Sequence, residues 1–131
     1  MGIPLKTTAF TKDQSRVVLS AALNILSKWD ASNEQSCNIL RVSRSTITRA
    51  LQGKGVELDS DQLDRASIVL NCHSALRLVF DNPENVYGFP NMENHNDFFN
   101  GRKPLEVMAQ GDFLSLMETF KRIDCLRGGG W

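Results

Sequence analysis

Between Ser43 and Gln52 the sequence reads SRSTITRALQ. Six of these residues, Ser43, Arg44, Ser45, Thr48, Arg49 and Gln52, would stand exposed at the front of a helix with hydrogen-bonding side chains, and none is acidic. Their chemistry is recognition rather than catalysis. An arginine fork can meet both acceptors of a guanine edge, and hydroxyls and amides can hold phosphate oxygens. From Ser36 to Lys54 the chain carries four positive charges, Arg41, Arg44, Arg49 and Lys54, and no negative one. A second candidate set lies near the C-terminus: the run Arg127-Gly128-Gly129-Gly130-Trp131. Tryptophan is a large, rigid anchor of the kind that dominates interfaces. Glycines, lacking Cβ, can pass through a narrow cleft. The same run also reads as a helix cap followed by a fraying end.

A reading surface needs a helix to carry it, and the flanking pattern supplies one. Ser43 suits the cap of a helix from about Arg44 to Gln52, with Ile47, Ala50 and Leu51 turned inward. Gly53-Lys54-Gly55 ends it. Ahead of it, Ser32 with Gln35 three residues on makes a capping box. This opens a short helix ending near Leu40, with Cys37, Ile39 and Leu40 as its apolar side. Thr11 with Gln14 opens a first helix in the same way, and Val18, Ala22, Ile25, Leu26 and Trp29 repeat along it at helical spacing. Residues 34–53 resemble a helix-turn-helix. Small Cys37 stands where two helices would cross, Leu40 and Val42 flank the turn, and Ile47 anchors the second helix. Arg41 departs from the pattern, because its place in the turn commonly needs positive φ and therefore glycine. A non-glycine residue there costs roughly 1 kcal/mol, so the turn is expected to differ in shape. A plain three-helix bundle with a solvated polar face fits the same residues.

Downstream, Asp59 or Ser60 caps a long helix that stops at Asp81-Asn82-Pro83, since the residue before a proline avoids the helical region. Leu63, Ala66, Ile68, Val69, Leu70, Cys72, Ala75, Leu76, Val79 and Phe80 spread widely around it, which predicts a central helix touched on two sides. Glu84 to Tyr87 reads as a further helical turn, and Asn91 to Asp97 as a polar loop. Gly101 then supplies a turn, Pro104 the first position of a short helix, and Gly111 its end. Asp112 caps a helix carrying Phe113, Leu116, Met117, Phe120 and Ile123 on one stripe. No strand pattern occurs. The expected fold class is all-α, with residues 1–56 as a helix-turn-helix domain with an N-terminal arm and residues 57–131 as a helical second domain.

The order Asn100-Gly101-Arg102-Lys103-Pro104-Leu105-Glu106-Val107-Met108, then Gly111, then a helix closing at Arg127-Gly128-Gly129-Gly130-Trp131, resembles the C-terminal toxin-binding domain of the MbcA/ParS/Xre antitoxin family. The resemblance is densest over residues 98–131 and extends more weakly back to about Leu58. It implies an antitoxin of a type II toxin–antitoxin system. The partner so implied is a RES-domain toxin, an enzyme that destroys NAD, whose active site the antitoxin blocks. The resemblance assigns toxin contact to Arg102, Arg127, Gly128, Gly129, Gly130 and Trp131. It assigns repression of the protein's own operon to the helix-turn-helix, acting on operator DNA. It places a homodimer within a hetero-oligomeric complex in the bacterial cytoplasm. A helix-turn-helix transcriptional repressor without a toxin partner is the alternative.

Catalytic signals are weak. No Ser/His/Asp order, metal cluster or phosphate-cradling loop is found, and the three glycines follow a helix rather than opening one. No enzyme activity, cofactor or metal is expected. The cysteines, Cys37, Cys72 and Cys125, are odd in number and lack metal-ligand spacing, which points to a reduced, cytosolic protein. His73 and His95 stand alone and are read as surface or satisfied histidines. No apolar run could span a bilayer, and the N-terminal residues lack the apolar core of a signal peptide. Net charge is zero but unevenly spread. Residues 1–56 hold eight basic against three acidic side chains (+5), and residues 57–131 seven against twelve (−5). Such a division suits a different partner for each part.

Overall fold

The computed structural model describes residues 10–128. Among these residues it is all-α, with seven α-helices and no strand. They are α1 (Lys12–Lys28), α2 (Asn33–Leu40), α3 (Arg44–Leu51), α4 (Ser60–Val79), α5 (Pro83–Gly88), α6 (Pro104–Met108) and α7 (Phe113–Cys125). Short 3₁₀ turns follow α5 and α7, at Phe89–Asn91 and Leu126–Gly128.

The helix starts obey local chemistry. Thr11, Ser32 and Asp59 each accept the backbone N–H three residues on, while Gln14, Gln35 and Gln62 reach back to the cap's own N–H. Each box satisfies two donors that the first helical turn leaves without partners. Asp112 accepts the Ser115 N–H at 2.9 Å, and that bond holds its carboxyl below the usual carboxylate range. Pro104 opens α6, and Gly111 closes the turn after it at φ +96.

α4 is the central element, packed against α1 on one side and α7 on another, with α2 and α5 also in contact. Leu19, Ala22 and Leu26 of α1 meet Ala66, Val69, Cys72 and Leu76 of α4, and Leu116 and Ile123 of α7 join the same core. Each such large aliphatic side chain, fully buried, contributes about 1.5–3 kcal/mol. Trp29, just past α1, is wholly buried, and its carbonyl accepts from Asn91 Nδ2. Cys72 sits in the core, where burial pushes its thiol up and leaves it an inert hydrophobe.

Two sequence expectations need correction. Leu51 does not face inward; it is 69% exposed. Ile47 and Ala50, three residues apart, already fill the inner side of α3, and Leu51 falls on the flank of that stripe. The polar loop expected from Asn91 to Asp97 is present, and Phe99 just after it is fully buried. The Asn96 side chain accepts the Phe99 N–H at 2.7 Å, and Asn94 and Gly101 are joined through the backbone at 2.7 Å. His73 is half-buried against the Tyr87 ring, and its Nδ1 has no partner among the described residues. Burial lowers its pKa. It is therefore neither a surface nor a satisfied histidine.

One polar group crosses this apolar interior. Arg65 of α4 is only 6% exposed. Its Nη1 donates to the Gly111 carbonyl at 2.8 Å and to the Ile39 carbonyl at 3.3 Å, and its Nε donates to Asp61 at 3.0 Å. A single guanidinium thus ties the end of α2 to the turn between α6 and α7.

Candidate nucleic-acid interface

The turn between α2 and α3 sets where α3 points. Arg41 adopts φ 56 and ψ 44, the left-handed conformation, and its N–H returns to the Cys37 carbonyl. Val42 N–H also reaches that carbonyl, at 3.2 Å. The turn therefore does not change shape to suit arginine, contrary to expectation. Side-chain contacts hold the residue in the strained basin instead. Arg41 Nε donates to Asp61 at 2.7 Å, and its Nη2 donates to Asp59. Gln62 Nε2 donates to the Arg41 carbonyl at 2.7 Å. A glycine could supply the backbone angle but none of the guanidinium bonds.

These bonds redraw the basic run. Hydrogen bonds from Arg41 hold the carboxyls of Asp59 and Asp61 below the usual carboxylate range, and the pair raises the pKa of Arg41 in return. Arg41 is thus a clamp to the start of α4 and not part of an open cationic face.

On α3 itself, Ile47 and Ala50 are buried, and the predicted reading residues are exposed. Ser45, Thr48, Arg49 and Gln52 stand opposite the buried pair by helical period, and Arg44 flanks them. Ser43 is exposed but committed. Its hydroxyl caps the helix by accepting the Thr46 N–H at 3.1 Å, and it lies 3.0 Å from the Ser45 hydroxyl. Arg44 makes no ion pair among the described residues. Arg49 Nη2 donates to the Gly55 carbonyl at 3.2 Å, which draws it toward the linker before α4. There the structure places Lys12, Thr46 and Glu57, which sequence reading missed, beside the predicted Arg49. Lys12, Thr46, Arg49 and Glu57 line a cleft of about 260 Å³, and Val56 N–H bonds the Lys12 carbonyl at 3.2 Å. Gly55 lies so close that a Cβ there would stand 2.9 Å from that of Lys12. Sequence offers no local signal for this, because Lys12 and Arg49 meet only once α1 and α3 have packed.

Of the C-terminal candidates, Arg102, Arg127 and Gly128 are among the described residues. Arg102 donates from Nε to the Phe99 carbonyl and from Nη2 to the Phe98 carbonyl, both at 2.8 Å, with its guanidinium 5.7 Å from the Phe98 ring centre. Arg127 pairs with Asp124 at 2.7 Å. A Cβ on Gly128 would meet nothing within 4 Å. Gly129, Gly130 and Trp131 lie outside the described residues. Among the described residues no helix is long and apolar enough to cross a membrane.

Comparison with known proteins agrees with this geometry. Residues 9–71 match the family model of the antitoxin Xre-like helix-turn-helix domain. The chain is also similar to the uncharacterized protein y4oB of Sinorhizobium fredii, 29% identical over 129 residues, with 96% of this chain and 98% of that protein covered. The domain match supports an Xre-type antitoxin or a regulator of the helix-turn-helix class.

The clamp has a pH signature. Asp59 and Asp61 are more acidic in the folded chain than their ordinary value of 3.8. The stability they contribute is complete above that value and is lost as pH falls below it, because the unfolded chain takes up protons first. Following unfolding by circular dichroism from pH 5 to pH 2 checks this. Asp59→Asn combined with Asp61→Asn should flatten the acid limb relative to wild type.

Proposed function

We propose that this chain is an antitoxin that represses its own operon through α3 and neutralises a RES-domain, NAD-degrading toxin by blocking its active site with its C-terminal part. The observation that carries the DNA reading is the outer side of α3, a hydrogen-bonding, acid-free surface on a domain matched as an antitoxin helix-turn-helix. Support for the toxin reading comes from the word antitoxin in that match and from the order of residues 98–131, which resembles the toxin-binding domain of such antitoxins. In this reading residues 1–56 bind DNA and residues 57–131 bind toxin and self-associate. A repressor without a toxin partner is the second reading. It shares the outer side of α3 with the first and needs nothing from residues 98–131.

Arg44 and Arg49 carry DNA affinity in this proposal. Replacing either with Ala should cost about 1–3 kcal/mol if it reads a base. A gel shift with promoter DNA at matched salt checks it, and wild-type binding by the double variant would refute it.

Operator binding in this reading is done by a homodimer. One small reading helix gathers little affinity, and paired domains read half-sites about 34 Å apart. Sedimentation of the purified protein should give a dimer mass. A monomer mass at every concentration would contradict the proposal.

The residues assigned to toxin contact are Arg102 and Arg127 to Trp131. Glycines 128–130 would let the end of the chain enter or cover the toxin's NAD pocket, with Arg127 and Trp131 as anchors. A chain lacking residues 127–131 should keep dimerisation and DNA binding but fail to protect cells co-expressing the cognate RES-domain toxin. Full protection by the truncated chain would sink the tail's role. Protection lost together with dimerisation would also count against it. If the complete chain fails to protect, the antitoxin reading itself falls and the repressor reading stands.

A further inference from the structure

We propose that Arg65 couples the turn between α6 and α7 to the turn of the helix-turn-helix, so that the conformation at Gly111 sets DNA affinity without any contact from that turn to α3. The proposal rests on the DNA-binding reading above for its functional consequence, though not for its physical content.

The coupling has three parts. The first is a shared donor. Arg65 Nη1 bonds the Gly111 carbonyl in the α6–α7 turn and the Ile39 carbonyl near the end of α2, two residues before the strained Arg41. The second is a shared acceptor. Asp61 Oδ2 takes a bond from Arg65 Nε at 3.0 Å and another from Arg41 Nε at 2.7 Å. A shift of Arg65 toward or away from Gly111 therefore acts on the turn twice, through Ile39 and through Asp61. The third is an element able to respond. Arg41 is held at φ 56, about 1–2 kcal/mol above the basins an arginine ordinarily prefers. Its bonds to Asp59, Asp61 and Gln62 are what retain it there. When they loosen, the ordinary basins gain population and α3 loses its fixed angle to α1. A change at Gly111 that favours one arrangement over the other shifts their populations.

Arg65 is buried and its bonds go to Ile39, Gly111 and Asp61, so it is a positioning residue and not a DNA contact. Arg works here where Lys would not, because the planar fork serves three acceptors in fixed directions.

Four proteins test the coupling: wild type, Gly111→Ala, Arg65→Lys and the double variant. Alanine at φ +96 strains the α6–α7 turn, while its Cβ meets only ordinary contacts, 3.8 Å to the Asn38 carbonyl oxygen. Thermal unfolding first establishes that all four fold, and Asp61→Asn replaces Arg65→Lys if the latter does not. Affinity is then measured for a duplex carrying the protein's own promoter, and amide hydrogen exchange is followed from Ile39 to Ile47. Gly111→Ala should weaken DNA binding about fivefold or more, and speed exchange at those amides. In the Arg65→Lys background the further effect should fall within about twofold, the margin of simple additivity. In the Asp61→Asn background it should fall by at least half, since one of the two routes remains. An undiminished effect in these backgrounds would place the coupling in direct packing of Gly111 on Asn38 and overturn the role of Arg65. Unchanged exchange on Gly111→Ala would overturn the coupling altogether. If wild type fails to bind promoter DNA, the DNA-binding reading fails, and the exchange data still decide for or against the coupling.

Discussion

A guanidinium brings one charge and five N–H donors into whatever space it occupies, and burying it without acceptors costs more than a small domain can offset. Arg65 is buried, so its surroundings must supply those acceptors. They come from three separate places in the chain: the end of α2, the turn after α6 and the first turn of α4. The fold around α4 is constrained accordingly. α2 must end where its carbonyl meets Arg65, and the α6–α7 turn must present the Gly111 carbonyl to the same group. The apolar packing of α1, α4 and α7 supplies most of the free energy but is tolerant of small shifts. The guanidinium is directional, and it fixes the register of the parts around it.

The turn between α2 and α3 depends on the same system. A left-handed arginine is a local conflict, and natural sequences keep such conflicts where the surroundings over-determine the strained residue. Here two aspartates and a glutamine of α4 do so. Two of these three, Asp59 and Gln62, also form the capping box that starts α4. One group of side chains thus ends one helix pair and begins the central helix, and it aligns them with each other.

Much of this architecture was legible in the sequence because it is local. Capping boxes at Thr11 and Ser32, a cap at Asp59 (one of two candidates), the proline at 104, the stop at Gly111 and the cap at Asp112 act within three or four residues, and all stand where the spacing predicts. The wide apolar spread of α4 also reported its central place. What could not be read was long-range. Arg65 looks like an ordinary polar position of a long helix, and its acceptors lie 26 and 46 residues away. Arg41 looked like one more cation beside Arg44, because the pairing that removes it spans 18 and 20 residues. Leu51 was misplaced because a one-residue step around α3 separates its flank from its core, and helical period alone does not say where neighbouring helices stop covering it. The polar residues of α3 held their expected side because Ile47 and Ala50 turn the opposite side into the core.

These pairings change how the charge asymmetry of the sequence should be understood. Residues 1–56 carry a surplus of five positive charges, but the surplus is not all available to a ligand. Arg41 is claimed by Asp59 and Asp61, Arg16 is paired with Asp13, and Lys12 faces Glu57 at 4.0 Å. Arg44, Arg49 and Lys54 are left around α3 without an ion pair among the described residues. Sequence-independent DNA affinity grows with the number of phosphates neutralised, each adding about 0.9 to the logarithmic salt slope. Three such cations give a single copy little of it. For a DNA-binding role, most of the discrimination must then come from base-edge contacts, which reward a well-placed helix and penalise a displaced one. A domain rich in free cations can tolerate a loosely held reading helix, whereas this one depends on the angle of α3. That dependence gives a physical reason for keeping an arginine, with its three ties to α4, in a turn where glycine would be less strained.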